Sequence, residues 1–176
     1  SRLDSSADIL YRLGLLELKT GNTSVAVDYL KQYLEKNADD EQALEALGDA
    51  LTIEEYYEEA LAYYDKALAV KEKNPDVLFS KARIYLLFIE DEKEGMGLLN
   101  EAIDQGFRDG EAASALLDEL AASDLLEEIT ELFTAKKIIT SDEEKEGQPG
   151  ESEDSSTESD GQTGQEGKTQ EENAAN

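Results

Sequence analysis

The chain has 176 residues, and 43 Asp and Glu against 16 Lys and Arg give it a formal net charge of −27. Nucleic-acid phosphates and anionic membrane surfaces attract cationic side chains, so this charge argues against both and favours neutral or basic peptides as partners. The sequence contains no Cys and no His, which excludes thiol nucleophiles, imidazole bases and zinc sites built from those ligands. We predict a protein that is not an enzyme and that has no cofactor and no metal site.

Nothing in the sequence indicates direct membrane insertion. The longest apolar run covers residues 84–89, whereas a spanning helix needs roughly 20 residues. The sequence begins at Ser1 rather than at Met, so the compartment stays unknown. Cytoplasm is favoured, with export or an upstream anchor as the alternatives, and the repeat array described below could extend upstream.

The first two predicted helices open the chain. Ser5 and Asp8 have capping-box spacing and indicate a helix start. Gly21 ends this helix, because glycine tolerates the left-handed cap. Asn22 or Thr23 caps the second helix, so we expect two helices of about four turns with a short connection.

Residues 41–74 repeat this arrangement with a period of 34 residues. The small residues Gly14 and Ala26 return as Gly48 and Ala60. Large residues return at the same distance, as Leu10, Leu44 and Leu78 in the first helices and Leu30 and Tyr64 in the second. The small residues predict close helix contacts, and the large residues fill the space around them.

The third unit departs from the period. Asn74 and Pro75 open it as N-cap and first helical residue. The match then slips by one residue, which we interpret as an insertion in the loop near residues 90–92. Gly95 and Gly97 follow in the second helix, where each costs about 0.8–1 kcal/mol relative to Ala. We expect this unit to be the least stable.

The last predicted helix pair matches the period poorly, as terminal units of stacked arrays do. Gly106 ends the third unit, with Phe107 packed over the junction, and Ser123 caps the final helix. Residues 141–176 contain no aromatic residue and no Leu, Ile, Val or Met, and they carry 12 acidic and 2 basic side chains. Nothing there offsets the entropy of ordering, so we predict a disordered acidic tail.

The pattern L-x-x-L-G-x-x-L followed by A-x-x-x-Y-x-x-A in residues 44–67 resembles the tetratricopeptide repeat. The resemblance covers roughly residues 7–108. It implies an all-α, right-handed solenoid of antiparallel helix pairs within residues 1–140. The expected units are repeats at about 7–40, 41–74 and 75–109, a capping pair at 110–138, and the separate tail at 141–176.

The resemblance also implies a concave groove that holds a peptide or a helix, lined by the first helix of each pair. Carried onto this sequence, the groove is apolar at one end, acidic in the middle, and aromatic with one Arg at the other end. Its candidate residues are Tyr11, Leu15, Leu18, Glu45, Asp49, Phe79 and Arg83. This pattern suits a protein partner with apolar anchors flanking a basic residue.

Carboxylate-clamp members of the family capture acidic C-terminal tails with Lys, Asn and Arg residues of the groove. Tyr11, Leu15, Asp76 and Ser80 stand at those clamp positions here. The sequence therefore argues against capture of a carboxylate.

Several of these patterns have a plainer interpretation. Tyr11 and Phe79 could simply cover the core, with Arg83 paired to Asp49 across adjacent helices. Residues 90–101 match the spacing of a calcium-binding EF-hand loop, but the early ligands are Glu rather than Asp or Asn, and we predict a helix there. The remaining tyrosines are either a contact surface or packing between second helices: Tyr56, Tyr57 and Tyr63.

These observations predict a non-catalytic adaptor or scaffold that binds other proteins. One alternative is a chaperone for a secreted or membrane-associated client, with the acidic tail shielding a basic client segment. The other is a structural subunit of a larger assembly, which would include self-association.

Overall fold

The computed structural model describes residues 5–139, in which all regular structure is helical. A five-residue π-helical turn, Tyr85–Ile89, continues the fifth helix. The α-helices within these residues are α1 Ser5–Thr20, α2 Thr23–Leu34, α3 Glu41–Ile53, α4 Tyr57–Val70, α5 Pro75–Ile84, α6 Glu92–Gln105, α7 Gly110–Glu119 and α8 Leu126–Ala135. The predicted all-α fold class is confirmed. The predicted acidic tail lies outside the described residues.

Consecutive helices form antiparallel hairpins that stack in chain order. α1 packs on α2, α3 on α4 and α5 on α6, while α2 also packs on α3 and α4 on α5. The contact between α7 and α8 is sparser. The boundaries of the repeats and of the capping pair stay predictions. Within residues 5–139, no helix is both long enough and apolar enough to cross a bilayer.

The small and large residues of the repeat meet inside each hairpin. A Cβ added to Gly14 would lie 2.8 Å from Cγ of Leu30, and one added to Gly48 would lie 2.5 Å from Cε1 of Tyr64. Both distances are shorter than a side chain tolerates, so these glycines allow the two helices of a pair to approach closely. The close contacts that the repeat pattern predicts are confirmed.

Buried side chains form two clusters along the stack. The first cluster belongs to α1–α4 and takes in Val77 and Ile84 from α5. The second runs from Leu78 of α5 to Ile138, past the end of α8. Leu68 of α4 packs against both clusters and so links them.

Most of the predicted helix ends are confirmed. The Asn74 side chain accepts a hydrogen bond from the amide of Val77 at 3.2 Å, and Gly21 and Gly106 have φ of +83° and +110°. Asn22, one of the two predicted candidates, occupies the N-cap position of α2. Asn22 precedes the helix, but its side chain makes no capping bond and donates to Glu17 at 2.7 Å.

The extra residue of the third unit lies in a helix, not in the predicted loop near residues 90–92. At the end of α3, the amide of Tyr56 donates to the carbonyl of Leu51. At the corresponding end of the third unit, the amide of Asp91 donates to the carbonyl of Tyr85, one residue farther back. The π-helical turn therefore absorbs the insertion, as π-bulges do. α6 then covers most of residues 90–101, which confirms a helix in place of a calcium loop.

Candidate functional site

Two adjoining depressions lie on the side of the stack that α1, α3 and α5 form. The smaller has a volume of about 270 Å³ and lies between α1 and α3. The larger, of about 600 Å³, lies between α3, α5 and the start of α7. Because Glu45 and Asp49 line both depressions, the two form one continuous surface, which we call the groove.

The structure brings six of the seven candidate residues together in this groove. Leu18 lies in neither depression, and its side chain is half-buried against the first core cluster. The six that line the groove are Tyr11, Leu15, Glu45, Asp49, Phe79 and Arg83.

Asp49 forms the middle of the groove. Its Oδ1 accepts a hydrogen bond of 2.7 Å from the hydroxyl of the buried Tyr64. Asp49 keeps an exposed face, yet the protein around its carboxyl group displaces part of its hydration and raises its pKa. The bond from Tyr64 and the positive charge of Arg83 act in the opposite direction. The pKa of Tyr64 is raised, first by burial and then by the charge of Asp49.

Glu45 lies one turn before Asp49 on α3, and a cross-helix contact positions its carboxylate. The side-chain amide of Asn74 donates to Oε2 of Glu45 at 3.0 Å and to Oε1 of Glu41 at 2.5 Å. Burial raises the pKa of Glu45, and the bond from Asn74 lowers it. The charges of Asp49, Glu41 and Asp76 raise it further. The middle of the groove is therefore an acidic surface whose carboxylates repel one another.

Arg83 does not neutralise this surface in the way that the plainer interpretation suggested. That interpretation paired Arg83 with Asp49, whereas the guanidinium binds both carboxylate oxygens of Glu119, each at 2.9 Å. Asp76 and Asp109 line the same depression as Arg83. Among the described residues 5–139, Arg83 is the one cation that lines the groove, and it already has a carboxylate partner, so the groove favours a positively charged ligand.

The aromatic candidates are less available than the sequence suggested. Phe79 is only 4% exposed and stacks on Phe107 with ring centroids 4.1 Å apart, so it forms a floor and not a projecting anchor. Tyr11 is half-buried against Tyr33, with centroids 5.1 Å apart. The interpretation that these two rings cover the core is correct in large part. Leu15 is the more accessible apolar residue, at 38% exposed.

Sequence reasoning missed groove residues that come from outside the repeat columns. Ile53 lies at the end of α3 and Phe88 in the π-helical turn, and they are 63% and 46% exposed. Phe107 and Asp109 come from the junction before α7. The hydrophobic helix end at Ile53 was visible in the sequence. The positions of the others depend on where the inserted residue lies and on how the poorly matching fourth pair packs.

Comparisons with known proteins agree with this architecture. Residues 11–77 match the family model described as tetratricopeptide repeat. A curated relative, the TPR repeat-containing protein MJ1428 of Methanocaldococcus jannaschii, is 38% identical over 96 residues. That alignment covers 54% of this chain and only 17% of the relative.

One solved structure of MamA has a similar fold, and a second aligns with a lower TM-score. One crystal structure of MamA aligns with a TM-score of 0.63 over 80% of each chain, at 17% sequence identity. The MamA RS-1 ArsTM double mutant aligns with a TM-score of 0.46, at 16% identity, over 84% of this chain and 99% of that one. At this level of identity, the first alignment shows a shared fold alone.

Proposed function

Because this chain is a tetratricopeptide repeat protein over residues 11–77, we propose that it is a non-catalytic scaffold that holds a partner peptide or helix in the groove. The tetratricopeptide repeat is a protein-interaction fold, so a protein partner follows at a coarse level. The observation that carries the finer proposal is the groove itself. Its acidic middle, Glu45 and Asp49, lies between the exposed apolar residues Leu15 on one side and Ile53 on the other.

This arrangement suits a peptide with a Lys or Arg between two apolar side chains. The basic side chain would lie against Glu45 and Asp49, where it relieves the repulsion between their carboxylates. The apolar side chains would cover Leu15 and Ile53 and remove their surface from water, at about 25 cal/mol per Å². An acidic peptide can still cover the apolar residues, but it gains no attraction to Glu45 and Asp49. The charge of the peptide therefore decides between partners.

A direct test uses a labelled peptide of the form Leu-x-x-Arg-x-x-Leu and the same peptide with Glu in place of Arg. Fluorescence anisotropy with the full chain should show micromolar binding of the Arg peptide and at least about tenfold weaker binding of the Glu peptide. Leu15→Ser and Asp49→Asn should each weaken the Arg peptide about threefold to tenfold. Phe79→Ala is unsuitable, because this ring belongs to the core.

Two exposed residues outside the groove provide matched controls. Leu16 follows Leu15 on α1 and is 53% exposed, and Asp118 is an exposed carboxylate on α7. Leu16→Ser and Asp118→Asn should leave the affinity for the Arg peptide within about twofold. Equal losses for groove and control variants, or equal binding of the Arg and Glu peptides, would refute the proposed groove chemistry.

A further inference from the structure

A second surface stands out at the edge of the stack, where α3 turns into α4 and the π-helical turn leads into α6. Its exposed side chains are large and apolar: Ile53 at 63%, Tyr56 at 59%, Phe88 at 46% and Ile89 at 41%. Tyr57 joins them, because its ring stacks on Phe88 with centroids 4.2 Å apart and planes 11° apart. We call these five residues the edge patch.

Contacts connect Ile53, Tyr57 and Phe88 of the edge patch, and Tyr56 and Ile89 are their neighbours in sequence, unlike the scattered apolar residues that all protein surfaces carry. The stack of Tyr57 on Phe88 bridges two helix pairs, and Ile53 and Phe88 line the same depression. In the two other aromatic ring pairs within residues 5–139, one ring is buried in the core: Tyr33 is 7% exposed and Phe79 is 4% exposed. Among the ring pairs of residues 5–139, the stack in the edge patch is the one that leaves an aromatic ring, Phe88, about half exposed.

The inserted residue accounts for the position of Phe88. Without the π-helical turn, the hydrogen bond at this helix end would span five residues, as it does from Tyr56 to Leu51. It spans six, from Asp91 to Tyr85, so the last turn is wider and places Phe88 against Tyr57. A π-helical turn inside an α-helix is unfavourable by itself and frequently marks a functional site.

The two segments that carry the edge patch are rich in carboxylates. Residues 53–58 and 88–94 contain seven Asp and Glu and a single cation, Lys93. None of the ion pairs within residues 5–139 uses these carboxylates. Glu55 and Glu90 also take left-handed backbone conformations, with φ of 66° and 58°, in the two turns that carry the patch.

We propose that the edge patch is a second docking surface, which takes an amphipathic helix of a protein partner whose apolar face is flanked by Lys or Arg. The apolar face would cover Tyr56, Phe88 and Ile89, and the flanking cations would meet the unpaired carboxylates. The same carboxylates repel a second copy of this chain, whose charge is −27, and anionic lipid surfaces. Ile53 and Phe88 also line the groove, but Tyr56 and Ile89 do not, so the proposal goes beyond the groove.

The test uses a labelled 18-residue synthetic helix with Leu at positions i, i+3, i+4 and i+7 and Lys at the flanking positions. Anisotropy with the full chain should show binding that Tyr56→Ser and Ile89→Ser each weaken about threefold to tenfold. Val25→Ser and Val70→Ser are matched controls, because these side chains are 42% and 45% exposed elsewhere on the stack. The controls should leave the affinity within about twofold.

Groove variants separate this proposal from the first one. Leu15→Ser should weaken the extended Arg peptide and leave the synthetic helix unaffected, while Tyr56→Ser should do the reverse. If the groove variant weakens the helix and the edge variants do not, the edge-patch proposal fails and the groove function stands. If neither groove variant affects the Arg peptide while Tyr56→Ser weakens the helix, the groove function fails and the edge patch stands.

Two further outcomes would overturn the edge-patch proposal. Equal binding of a helix with Glu in place of Lys would show that the surrounding carboxylates do not select the partner. Sedimentation velocity that shows a dimer, lost in Tyr56→Ser, would show that a second copy covers the patch. The edge variants alter exposed side chains, so unchanged circular dichroism and thermal unfolding serve to verify the fold.

Discussion

The hydroxyl of Tyr33 and the carboxylate of Asp40 fix the connection between the first two helix pairs. Tyr33 donates to Oδ2 of Asp40 at 2.6 Å, while Oδ1 of the same carboxylate accepts from the amide of Ala43 at 3.1 Å. The Asp40 side chain thus binds the end of α2 and caps the start of α3. The bond to Asp40 and, secondly, burial raise the pKa of Tyr33 to about 12.

Tyr33→Phe should lower the free energy of unfolding by about 0.5–1.5 kcal/mol at pH 7, because it removes a hydrogen bond to a charged acceptor. The folded-state pKa of Tyr33 lies above its unfolded value, so this contribution is complete below the unfolded pKa. It disappears as the pH rises through about 12. Urea unfolding measures the loss. Tyr29→Phe is the control, since that hydroxyl makes no hydrogen bond within residues 5–139, and an equal loss there would contradict this account.

We expect Glu45 and Asp49 to stabilise the fold less than their amide analogues would. The raised pKa of each carboxyl means that folding favours its protonated form. The stability that the two protonated carboxyl groups contribute is fully present at a pH below their pKa values in the unfolded chain. It is lost as the pH rises through their higher pKa values in the folded protein.

At pH 7 we therefore expect Glu45→Gln and Asp49→Asn each to raise the free energy of unfolding by a few tenths of a kcal/mol. Both groups contact solvent, which limits the gain. The same variants should weaken the Arg peptide, so stability and affinity should change in opposite directions. Urea unfolding at pH 4 and pH 7 measures the free energy of unfolding of each variant. If the increase over the unsubstituted chain were as large at pH 4 as at pH 7, this prediction would be wrong.

At the scale of the element, the turns inside the first two helix pairs take the same left-handed backbone conformation with different residues. Gly21 and Glu55 occupy equivalent positions 34 residues apart, with φ of +83° and +66°. A non-glycine residue pays roughly 1 kcal/mol for that left-handed conformation. The sequence identified the turn at Gly21 from its glycine, but no residue type indicated the same conformation at Glu55.

Glu55→Gly should stabilise the chain by about 0.5–1 kcal/mol, because glycine adopts this conformation without the steric cost. Glu54 precedes it with φ of −80°, so Glu54→Gly should give no gain and lose a few tenths of a kcal/mol. Both variants remove one negative charge, which cancels the electrostatic effect from the comparison. Thermal unfolding measures the stability of both variants. A change of the unfolding temperature in the same direction for both would contradict this prediction.

The two glycines of α6 look alike in the sequence and differ in the fold. A Cβ at Gly97 would meet nothing within 4 Å. At Gly95 it would lie 2.6 Å from the side chain of Leu86 and 3.2 Å from the amide nitrogen of the same residue. The sequence therefore overstated the cost of glycine in α6, because at Gly95 the missing side chain permits the contact with the π-helical turn.

Gly97→Ala should raise the free energy of unfolding by about 0.8–1 kcal/mol through helix propensity alone. Gly95→Ala should lower it by about 1–3 kcal/mol, because Leu86 has to move and its backbone nitrogen is close. The two substitutions add the same methyl group two residues apart in one helix. Chemical denaturation of both variants decides the matter, and a gain for Gly95→Ala would show that the close approach to Leu86 is dispensable.

At the scale of the whole molecule, the repeat period predicted the helix contacts in the core but few of the residues that are exposed on the surface. Contacts such as Gly14 on Leu30 follow from the period, because residues 34 apart occupy equivalent places in successive hairpins. The period assumes a constant helix geometry, and the π-helical turn at Tyr85–Ile89 violates that assumption. Phe79 was misjudged for a related reason, since its burial depends on Phe107 from the junction with the poorly matching fourth pair.

The division of the interior into two clusters has consequences for how the stack unfolds. Each helix contacts its neighbours in the chain and little else, so stability in such an array is approximately a sum of local terms. Leu68 links the clusters, and the ion pair between Lys81 and Asp65 at 2.5 Å crosses the same boundary. α5 also supplies buried side chains to both clusters, but contacts across this boundary are few beside those inside each cluster, so we expect the two ends of the stack to open separately.

Leu30 and Leu116 provide a matched test, because both are leucines with 0% exposure, one in each cluster. Leu30→Ala and Leu116→Ala should each cost about 2–5 kcal/mol locally. Hydrogen exchange should show the loss of protection in α1–α3 for Leu30→Ala and in α6–α8 for Leu116→Ala, with the other half nearly unchanged. A uniform loss across residues 5–139 in both variants would instead mean that the link through Leu68 is strong enough to make the stack one cooperative unit.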